Sequence, residues 1–192
     1  MYEVKDFKRL LGTEGFSDNL LNTHFGLYEG YVKNTNALAE QLKNLLEAGK
    51  TGPGEYAELK RRFGWEFNGM RLHELYFGNM SKDKKTLADE AKIAGLITAA
   101  FGSYEMWKKD FVATGALRGI GWAIMAHDKE ADKVFNVWVN EHDVGHLAGA
   151  IPLLVMDVFE HAFILDYGMK RADYIASFMA AVDWEEVEKR LE

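Results

Sequence analysis

The sequence contains no cysteine among its 192 residues. Disulfides and thiolate metal ligands are therefore excluded, and a metal ion would have to be bound by histidine, carboxylate or water. Proline is almost as scarce, with Pro53 and Pro152 as the only two. No apolar run approaches the ~18 residues of a membrane-spanning helix, and the N-terminal segment lacks the apolar run of a signal peptide. The sequence therefore predicts a cytoplasmic protein with no membrane span.

Positively charged residues are also fewer than negatively charged ones. Lys and Arg number 23 against 30 Asp and Glu, which gives a formal net charge of −7. Because nucleic-acid binding depends on a basic surface, nucleic acid is not expected as a main partner. Hydrophobic residues make up 48% of the chain and charged residues 28%, so an ordinary folded globule is expected rather than a disordered chain.

Two apolar seams with the spacing of an amphipathic helix dominate the first half of the chain. One covers residues 20–45 and the other residues 56–80, with apolar side chains every three or four positions. The Gly-rich segment 48–54 between them predicts a turn. Two helices joined in this way are expected to pack antiparallel with their seams together. His24 lies on the first seam and His73 on the second.

The second half of the chain mixes helical and extended patterns. Two short segments rich in β-branched and aromatic residues flank the polar stretch HDKEADK and predict a β-hairpin. A third, nearly continuous apolar run predicts a buried strand. The expected elements are strands over 121–126, 134–139 and 151–158, and helices over 84–101, 104–114 (with Ser103 as N-cap), 171–182 and 184–191 (with Asp183 as cap).

The predicted fold class is therefore α+β. Residues 1–85 are expected to form an N-terminal antiparallel helical hairpin domain. Residues 86–192 are expected to form a C-terminal domain with a three-stranded antiparallel sheet and flanking helices.

The two seam histidines allow two interpretations. A single core histidine is most often hydrogen-bonded to a backbone group, and that interpretation remains open for each. Two on facing seams fit it less well, because each buried imidazole needs partners for both ring nitrogens. A shared metal ion would provide a partner for one nitrogen on each ring.

A carboxylate and a further histidine follow the buried strand. Asp157 ends the apolar run IPLLVM, and Glu160 and His161 come within the next four residues. Burying such groups is costly unless they are paired or bind a metal. The alternative is a helix N-terminus capped by Asp157, with a solvated Glu160–His161 pair. The residues alone indicate a His3Asp site for iron, manganese or zinc, and they do not name a reaction.

Four segments, in the same order along the chain, resemble the iron/manganese superoxide dismutases over nearly its whole length. The most specific, residues 152–191 (PLLVMDVFEHAFILDYGMKRADYIASFMAAVDWEEVEKRL), is similar to a family signature with an Asp-x-Trp-Glu-His stretch, although Phe159 replaces the usual Trp. Residues 101–125 (FGSYEMWKKDFVATGALRGIGWAIM) resemble a segment that ends in a Gly-Trp strand. HELYFGNM from His73 and THFGLYEGYVKNTN from Thr23 resemble the two helices that carry the other ligands.

The resemblance implies a residue-by-residue assignment of the site. Tyr31 corresponds to the gateway tyrosine, and Trp122 to the aromatic wall beside the metal. Glu160 corresponds to the glutamate that reaches across a dimer interface to the partner's ligand histidine, a contact that would orient His161. The implied metal ligands are His24, His73, Asp157 and His161, with solvent as a fifth.

The chain departs from the family at a second pair of residues. Tyr28 and Ile164 stand where a gateway histidine and its tyrosine partner are usual, so the resemblance does not extend to the usual proton route. The interval from His24 to Tyr31 is one residue shorter than usual, which keeps both on one face of a regular helix and implies that a helix bulge is absent.

The group that would hydrogen-bond metal-bound solvent also differs. Gly69 occupies the position of the iron form's amide, and no Gln precedes the third strand. The role is assigned to His142, with His146 as the weaker choice and a solvated histidine in a polar turn as the alternative for both. Val155, where a small Gly often accompanies manganese, and His142 together favour iron, with manganese as the alternative metal.

The function that the resemblance implies is superoxide dismutation, with superoxide as substrate and a homodimer or dimer of dimers as the assembly. Arg171 is a candidate for steering the anion despite the net negative charge. Two other functions stay open: a family-shaped metal-binding protein with weak or no dismutase activity, and a different non-haem iron enzyme.

Overall fold

A computed structural model describes residues 1–83 and 86–191 and has the predicted α+β architecture. Among these residues, no helix is both long and apolar enough to cross a bilayer. The helices are α1 Asp18–Glu47, α2 Glu55–Gly78, α3 Lys92–Phe101, α4 Tyr104–Gly115, α5 Ile164–Tyr167, α6 Arg171–Ala180 and α7 Trp184–Lys189, and the strands are β1 Gly121–Asp128, β2 Lys133–Asn140 and β3 Ile151–Asp157, with short 3-10 turns at Lys8–Leu10 and Glu160–Ala162.

The N-terminal helices form the predicted hairpin. The Ser17 hydroxyl accepts a hydrogen bond from the Leu20 N–H and so caps the start of α1. The helix then continues without a bulge to Glu47, as the shortened His24–Tyr31 interval predicts. α1 and α2 pack along their apolar seams, and His24 and His73 are both buried there.

The three strands form the predicted antiparallel sheet in the order β2-β1-β3. In this register Trp122 at the start of β1 lies opposite Val139 of β2 and Asp157 at the end of β3. Directly opposed residues in an antiparallel pair point to the same face. The sheet therefore places the Trp122 ring and the Asp157 carboxylate side by side.

The outer edge of β3 is bound to the helical half of the chain. The buried side chain of Asn79, just after α2, accepts from the Val155 N–H and donates to the Val155 carbonyl. Arg190 donates to the Leu153 carbonyl and to the Leu75 carbonyl. Because an edge strand leaves backbone groups unpaired, these contacts both satisfy the edge and fix β3 against α2.

The start of α3 differs from the prediction. The expected helix over 84–101 begins only at Lys92, and residues 86–91 are not helical. The reason is a long-range cap: the Glu188 carboxylate accepts from the N–H groups of Lys92 and Ile93. Residues 84 and 85 lie outside the described residues, so the expected boundary between residues 85 and 86 stays a prediction.

Candidate metal centre

Four side chains from distant parts of the sequence meet at one buried point. His24 comes from α1, His73 from α2, Asp157 from the end of β3, and His161 from the 3-10 turn that follows β3. One ligand atom from each can be chosen so that all four lie within 4.8 Å of one another. Bonds between such donors and a metal are about 2 Å long, so this spacing fits a single ion between them.

The distances centre on one oxygen atom of the carboxylate. Asp157 Oδ2 lies 3.2 Å from His24 Nε2, 3.6 Å from His73 Nε2 and 3.1 Å from His161 Nε2. The other oxygen, Oδ1, accepts a hydrogen bond from the Phe159 N–H at 2.9 Å. That backbone bond fixes the carboxylate so that Oδ2 faces the three imidazoles.

The protonation state of His73 is set by its backbone partner. His73 Nδ1 lies 2.6 Å from the Gly69 carbonyl, which can only accept, so Nδ1 carries the proton. In the neutral ring, Nε2 is then a bare acceptor that faces the Asp157 carboxylate. The Nε2 atoms of His24 and His73 are buried and have no hydrogen-bond partner. A buried imidazole acceptor that faces a carboxylate oxygen in this way is stabilised by a cation, so the donor set fits a metal ion.

Burial keeps the nitrogen donors in the form that binds metals. Burial lowers the pKa of His24 and lowers the pKa of His73 well below its usual range. For Asp157, burial by itself raises the pKa, but the charge and hydrogen bond of His161, together with the neighbouring His24, outweigh it and hold the pKa well below the ordinary value. Two neutral imidazoles and an ionised carboxylate are donor forms that bind divalent and trivalent iron or manganese.

A hydrogen-bonded chain of three residues forms one wall of the centre. The Trp122 indole N–H donates to His142 Nδ1 at 3.0 Å, and His142 Nε2 lies 2.8 Å from the Tyr31 hydroxyl. Because an indole only donates, Nδ1 is the acceptor and the neutral ring carries its proton on Nε2, which donates to Tyr31. Burial lowers the pKa of His142 to about 4, which favours this neutral form.

His142 is thus a buried residue rather than a solvated one in a polar turn, and both of its ring nitrogens have side-chain partners. His146 is exposed, and its Nε2 contacts the His142 carbonyl at 3.0 Å. His142 is therefore the better placed of the two for a role beside the metal, and that role stays a prediction. Burial, followed by the charge of Asp157, raises the pKa of Tyr31 well above its ordinary value, so Tyr31 keeps its proton.

Two aromatic residues without an assigned role also line the centre. The Phe159 ring stacks between His142 at 4.9 Å and His161 at 5.1 Å, as ring centroids. The Trp65 ring lies 4.5 Å from His142 and 5.6 Å from Tyr31. Phe159 is the residue that replaces the usual Trp. Trp65 was not predicted, although it precedes His73 by a spacing that puts both on the same side of α2.

Tyr28 is turned away from the cluster. Its hydroxyl donates to the buried Glu74 carboxylate at 3.1 Å and accepts from the Lys5 N–H at 3.1 Å. Its ring stacks at 6.5 Å from that of His73. Burial raises the pKa of Tyr28 to about 12, so it remains a neutral hydroxyl. Ile164, the other half of the expected gateway pair, is exposed.

The remaining predicted residues lie at the outer side of the centre. Glu160 is exposed, whereas the neighbouring His161 side chain is 27% exposed. Arg171 donates through Nη1 to the Leu117 and Gly119 carbonyls, which fixes the guanidinium against the loop before β1. Its assignment as the steering cation stays a prediction.

The position of Tyr31 depends on the absence of a side chain at Gly69. A Cβ atom there would lie 2.6 Å from two ring carbons of Tyr31. We expect Gly69→Ala to displace the ring and to lower the activity that the sequence resemblance implies by about tenfold, while leaving the bound metal in place. Gly64→Ala on the same helix is the matched control, because a Cβ at Gly64 meets nothing within 4 Å. Equal activity of the two variants at equal metal content would contradict this assignment.

A set of three imidazoles and one carboxylate, buried except for His161 and framed by an α+β fold, fits the class of metalloproteins that bind a single non-haem ion. Comparison with the sequences of known proteins identifies the family within this class. The family sequence model described as "Iron/manganese superoxide dismutases, C-terminal domain" matches residues 89–190. The chain therefore belongs to the iron/manganese superoxide dismutase family, as the resemblance in its sequence predicts.

Individual relatives are similar in sequence to this chain over most of its length. The protein named "Superoxide dismutase [Mn] 2" of Haloferax volcanii is 37% identical over 177 residues, which cover 92% of this chain and 87% of that protein. "Superoxide dismutase [Fe]" of Saccharolobus solfataricus is 32% identical over 180 residues, covering 92% and 85%. "Superoxide dismutase [Fe]" of Aquifex pyrophilus is 33% identical over 195 residues, covering 99% and 91%. Relatives named for either metal occur, so an iron or manganese ion is supported.

Proposed function

We propose that this protein is a superoxide dismutase in which His24, His73, Asp157 and His161 hold one iron or manganese ion. The observation that carries the proposal is the convergence of four donor atoms within 4.8 Å in a buried site. Membership of the dismutase family supports the choice of reaction.

The reaction converts two superoxide anions and two protons into one dioxygen and one hydrogen peroxide. A bound iron or manganese ion would supply the one-electron redox chemistry that both halves of this reaction need, and His24, His73, Asp157 and His161 would hold it. Asp157 contributes a fixed negative charge to the site, which favours the higher oxidation state. Trp122, Phe159 and Trp65 keep the surroundings apolar, so that charges within the site interact strongly.

Tyr31 and His142 form the polar part of this wall. In the deduced tautomer His142 donates its only ring N–H to the Tyr31 oxygen. The Tyr31 hydroxyl hydrogen is then free to be donated to an anion or a solvent molecule. Because the raised pKa of Tyr31 keeps that hydrogen in place at neutral pH, we assign Tyr31 as the donor that orients the incoming anion.

We propose iron as the preferred metal, with manganese as the alternative. Val155 is fully buried in β3, two residues before Asp157, where the family pattern associates bulk with iron. His142 lies where the manganese pattern has Gln. Both features support iron, and relatives named for each metal leave dual use open to measurement.

We further propose a homodimer or a dimer of dimers in the cytoplasm. Three large apolar side chains that follow His161 are exposed in the single chain, at 45% for Ile164, 51% for Leu165 and 90% for Met169. A surface of this kind beside the exposed Glu160 supports its assignment as a contact to the partner's site. The cytoplasmic location rests on the sequence alone.

A family-shaped protein with weak dismutase activity is the second candidate. It is favoured by the direction of Tyr28, whose hydroxyl binds Glu74 and the Lys5 backbone instead of the gateway. Under this alternative the protein binds the metal and turns over slowly.

A single set of assays tests the proposal. Protein loaded separately with iron, manganese and zinc is assayed for superoxide dismutation, and metal content is measured on the same samples. We expect activity in the iron form above that in the manganese form, and none in the zinc form, because zinc has no accessible redox change. Absence of activity in both the iron and the manganese form at full metal content would contradict the proposed reaction.

A further inference from the structure

His142 lies in a tight turn that is closed by its neighbours. After β2, the Asn140 N–H donates to the Val144 carbonyl at 2.7 Å, and the Val144 N–H donates to the Asn140 carbonyl at 3.3 Å. Gly145 follows with φ of 112°, and a Cβ there would lie 2.4 Å from the Trp138 carbonyl oxygen. The turn is therefore pinned at both ends, and its three central residues are those from 141 to 143.

The residue that directly precedes His142 has an unfavourable backbone conformation. Glu141 has φ of 48°, in the left-handed region that L-residues with a Cβ rarely adopt. Such a conformation persists only where surrounding contacts hold it. The Glu141 N–H donates to the Ile120 carbonyl at 3.2 Å, which holds the backbone on one side.

The Glu141 side chain is held on the other side by α2. The Trp65 indole N–H donates to Glu141 Oε2 at 3.0 Å. Trp65 is itself fixed, because the Arg62 guanidinium lies 3.8 Å from its ring and is paired with the buried Glu66 at 2.6 Å. The same indole packs against His142. One aromatic residue therefore contacts the imidazole and ties down the residue just before it.

We propose that the Trp65–Glu141 hydrogen bond is a latch that positions His142 between Trp122 and Tyr31. Glu141 acts through His142 and is a positioning residue, not a catalytic one. Without the latch, Glu141 can relax toward a more favourable backbone conformation, which rotates the next residue and draws its imidazole away from both partners. The inference rests on the proposed dismutase function, since it assigns part of the support for that site.

Four variants separate the latch from the charge at Glu141. Glu141→Gln keeps a carbonyl oxygen that can accept from the indole. Glu141→Ala removes the acceptor and keeps the Cβ atom, so the backbone conformation stays unfavourable and can relax once the latch is lost. Trp65→Phe removes the donor and keeps an aromatic ring. Glu40→Ala, at an exposed position of α1, is the control for loss of one negative charge.

The expected kinetic result is a split between these variants of the metal-loaded enzyme. Glu141→Ala and Trp65→Phe lose about tenfold in kcat/KM. The double variant Glu141→Ala/Trp65→Phe loses no more than either single variant, because both substitutions remove the same hydrogen bond. Glu141→Gln and Glu40→Ala stay within about twofold of wild type. Metal content is measured throughout and is expected to be unchanged.

Crystal structures of the same metal-loaded variants give a readout that does not depend on activity. In Glu141→Ala and Trp65→Phe, at least one of the two His142 contacts is expected to lengthen beyond about 3.5 Å, whereas Glu141→Gln keeps both. Retention of both contacts and of wild-type kcat/KM in Glu141→Ala and Trp65→Phe would overturn the proposal. So would a Glu141→Gln variant as impaired as Glu141→Ala, since charge rather than the hydrogen bond would then matter. A wild-type enzyme with no dismutase activity would refute the function, whereas the structures would still test the latch.

Discussion

Asp157→Asn is expected to lower dismutation by more than about 100-fold and to leave the purified protein with little bound metal. The substitution removes the only anionic donor and replaces it with a neutral amide. The side-chain oxygen that accepts from the Phe159 N–H can be retained, so the local backbone has the same partner. The effect should therefore fall on metal binding, and it is measured by metal content and dismutation on the same preparation.

Asp173→Asn provides the matched control, because this aspartate is exposed near the start of α6 and makes no side-chain contact with the cluster. Its metal content and activity should equal those of wild type. Cooperative unfolding of both variants would show that the fold is intact. Full metal content and wild-type activity in Asp157→Asn would show that Asp157 is not needed as a metal ligand.

The metal-free protein is expected to lose stability steeply as the pH falls below about 6.5. Burial lowers the folded-state pKa of His24 and His73, so both remain neutral in the folded protein while they become protonated in the unfolded chain. The unfolded state therefore binds more protons, and stability rises with pH in this window. The contribution of both groups is fully present above about pH 6.5 and is lost as the pH falls toward their folded pKa values.

The two histidines together determine how steeply the free energy of unfolding is expected to change with pH. With one proton taken up by each on unfolding, the free energy of unfolding falls by up to about 2.7 kcal/mol per pH unit. Asp157, whose folded pKa is also depressed, adds a further loss below about pH 4. Urea unfolding of the chelator-treated protein between pH 5 and pH 8 measures this slope.

His73→Gln removes the contribution of His73 to the pH dependence of stability and leaves that of His24. The amide has an N–H group that can donate to the Gly69 carbonyl in place of Nδ1, but it does not titrate. The slope of this variant should be about half that of the wild type. A free energy of unfolding that changes by less than about 0.5 kcal/mol from pH 7 to pH 5.5 in the wild type would contradict the assigned pKa shifts.

Much of the fold follows from local sequence patterns. The seams of α1 and α2, the hairpin of β1 and β2, and the Ser103 cap before α4 are all confirmed. These elements depend on side-chain periodicity and on caps within a few residues. The start of α3 could not be predicted in this way, because its cap is the Glu188 carboxylate, which is distant in the chain and reaches α3 only after folding.

In the candidate site, too, some residues could be predicted from local sequence patterns and others could not. His24 and His73 could be selected because a polar ring on a buried seam is costly, and Asp157 and His161 because they follow a buried strand. Trp65 could have been found from its position on the His73 side of α2. Glu141 could not have been found from the sequence. Its proposed role depends on a left-handed backbone conformation, and a glutamate gives no sequence signal for that conformation.

The most direct test of the central claim is a crystal structure of the iron-loaded protein with anomalous scattering measured at the iron edge. We expect one strong anomalous peak per chain, about 2 Å from the Nε2 atoms of His24, His73 and His161 and from Asp157 Oδ2. No peak between these four side chains, or a peak bound by other residues, would contradict it.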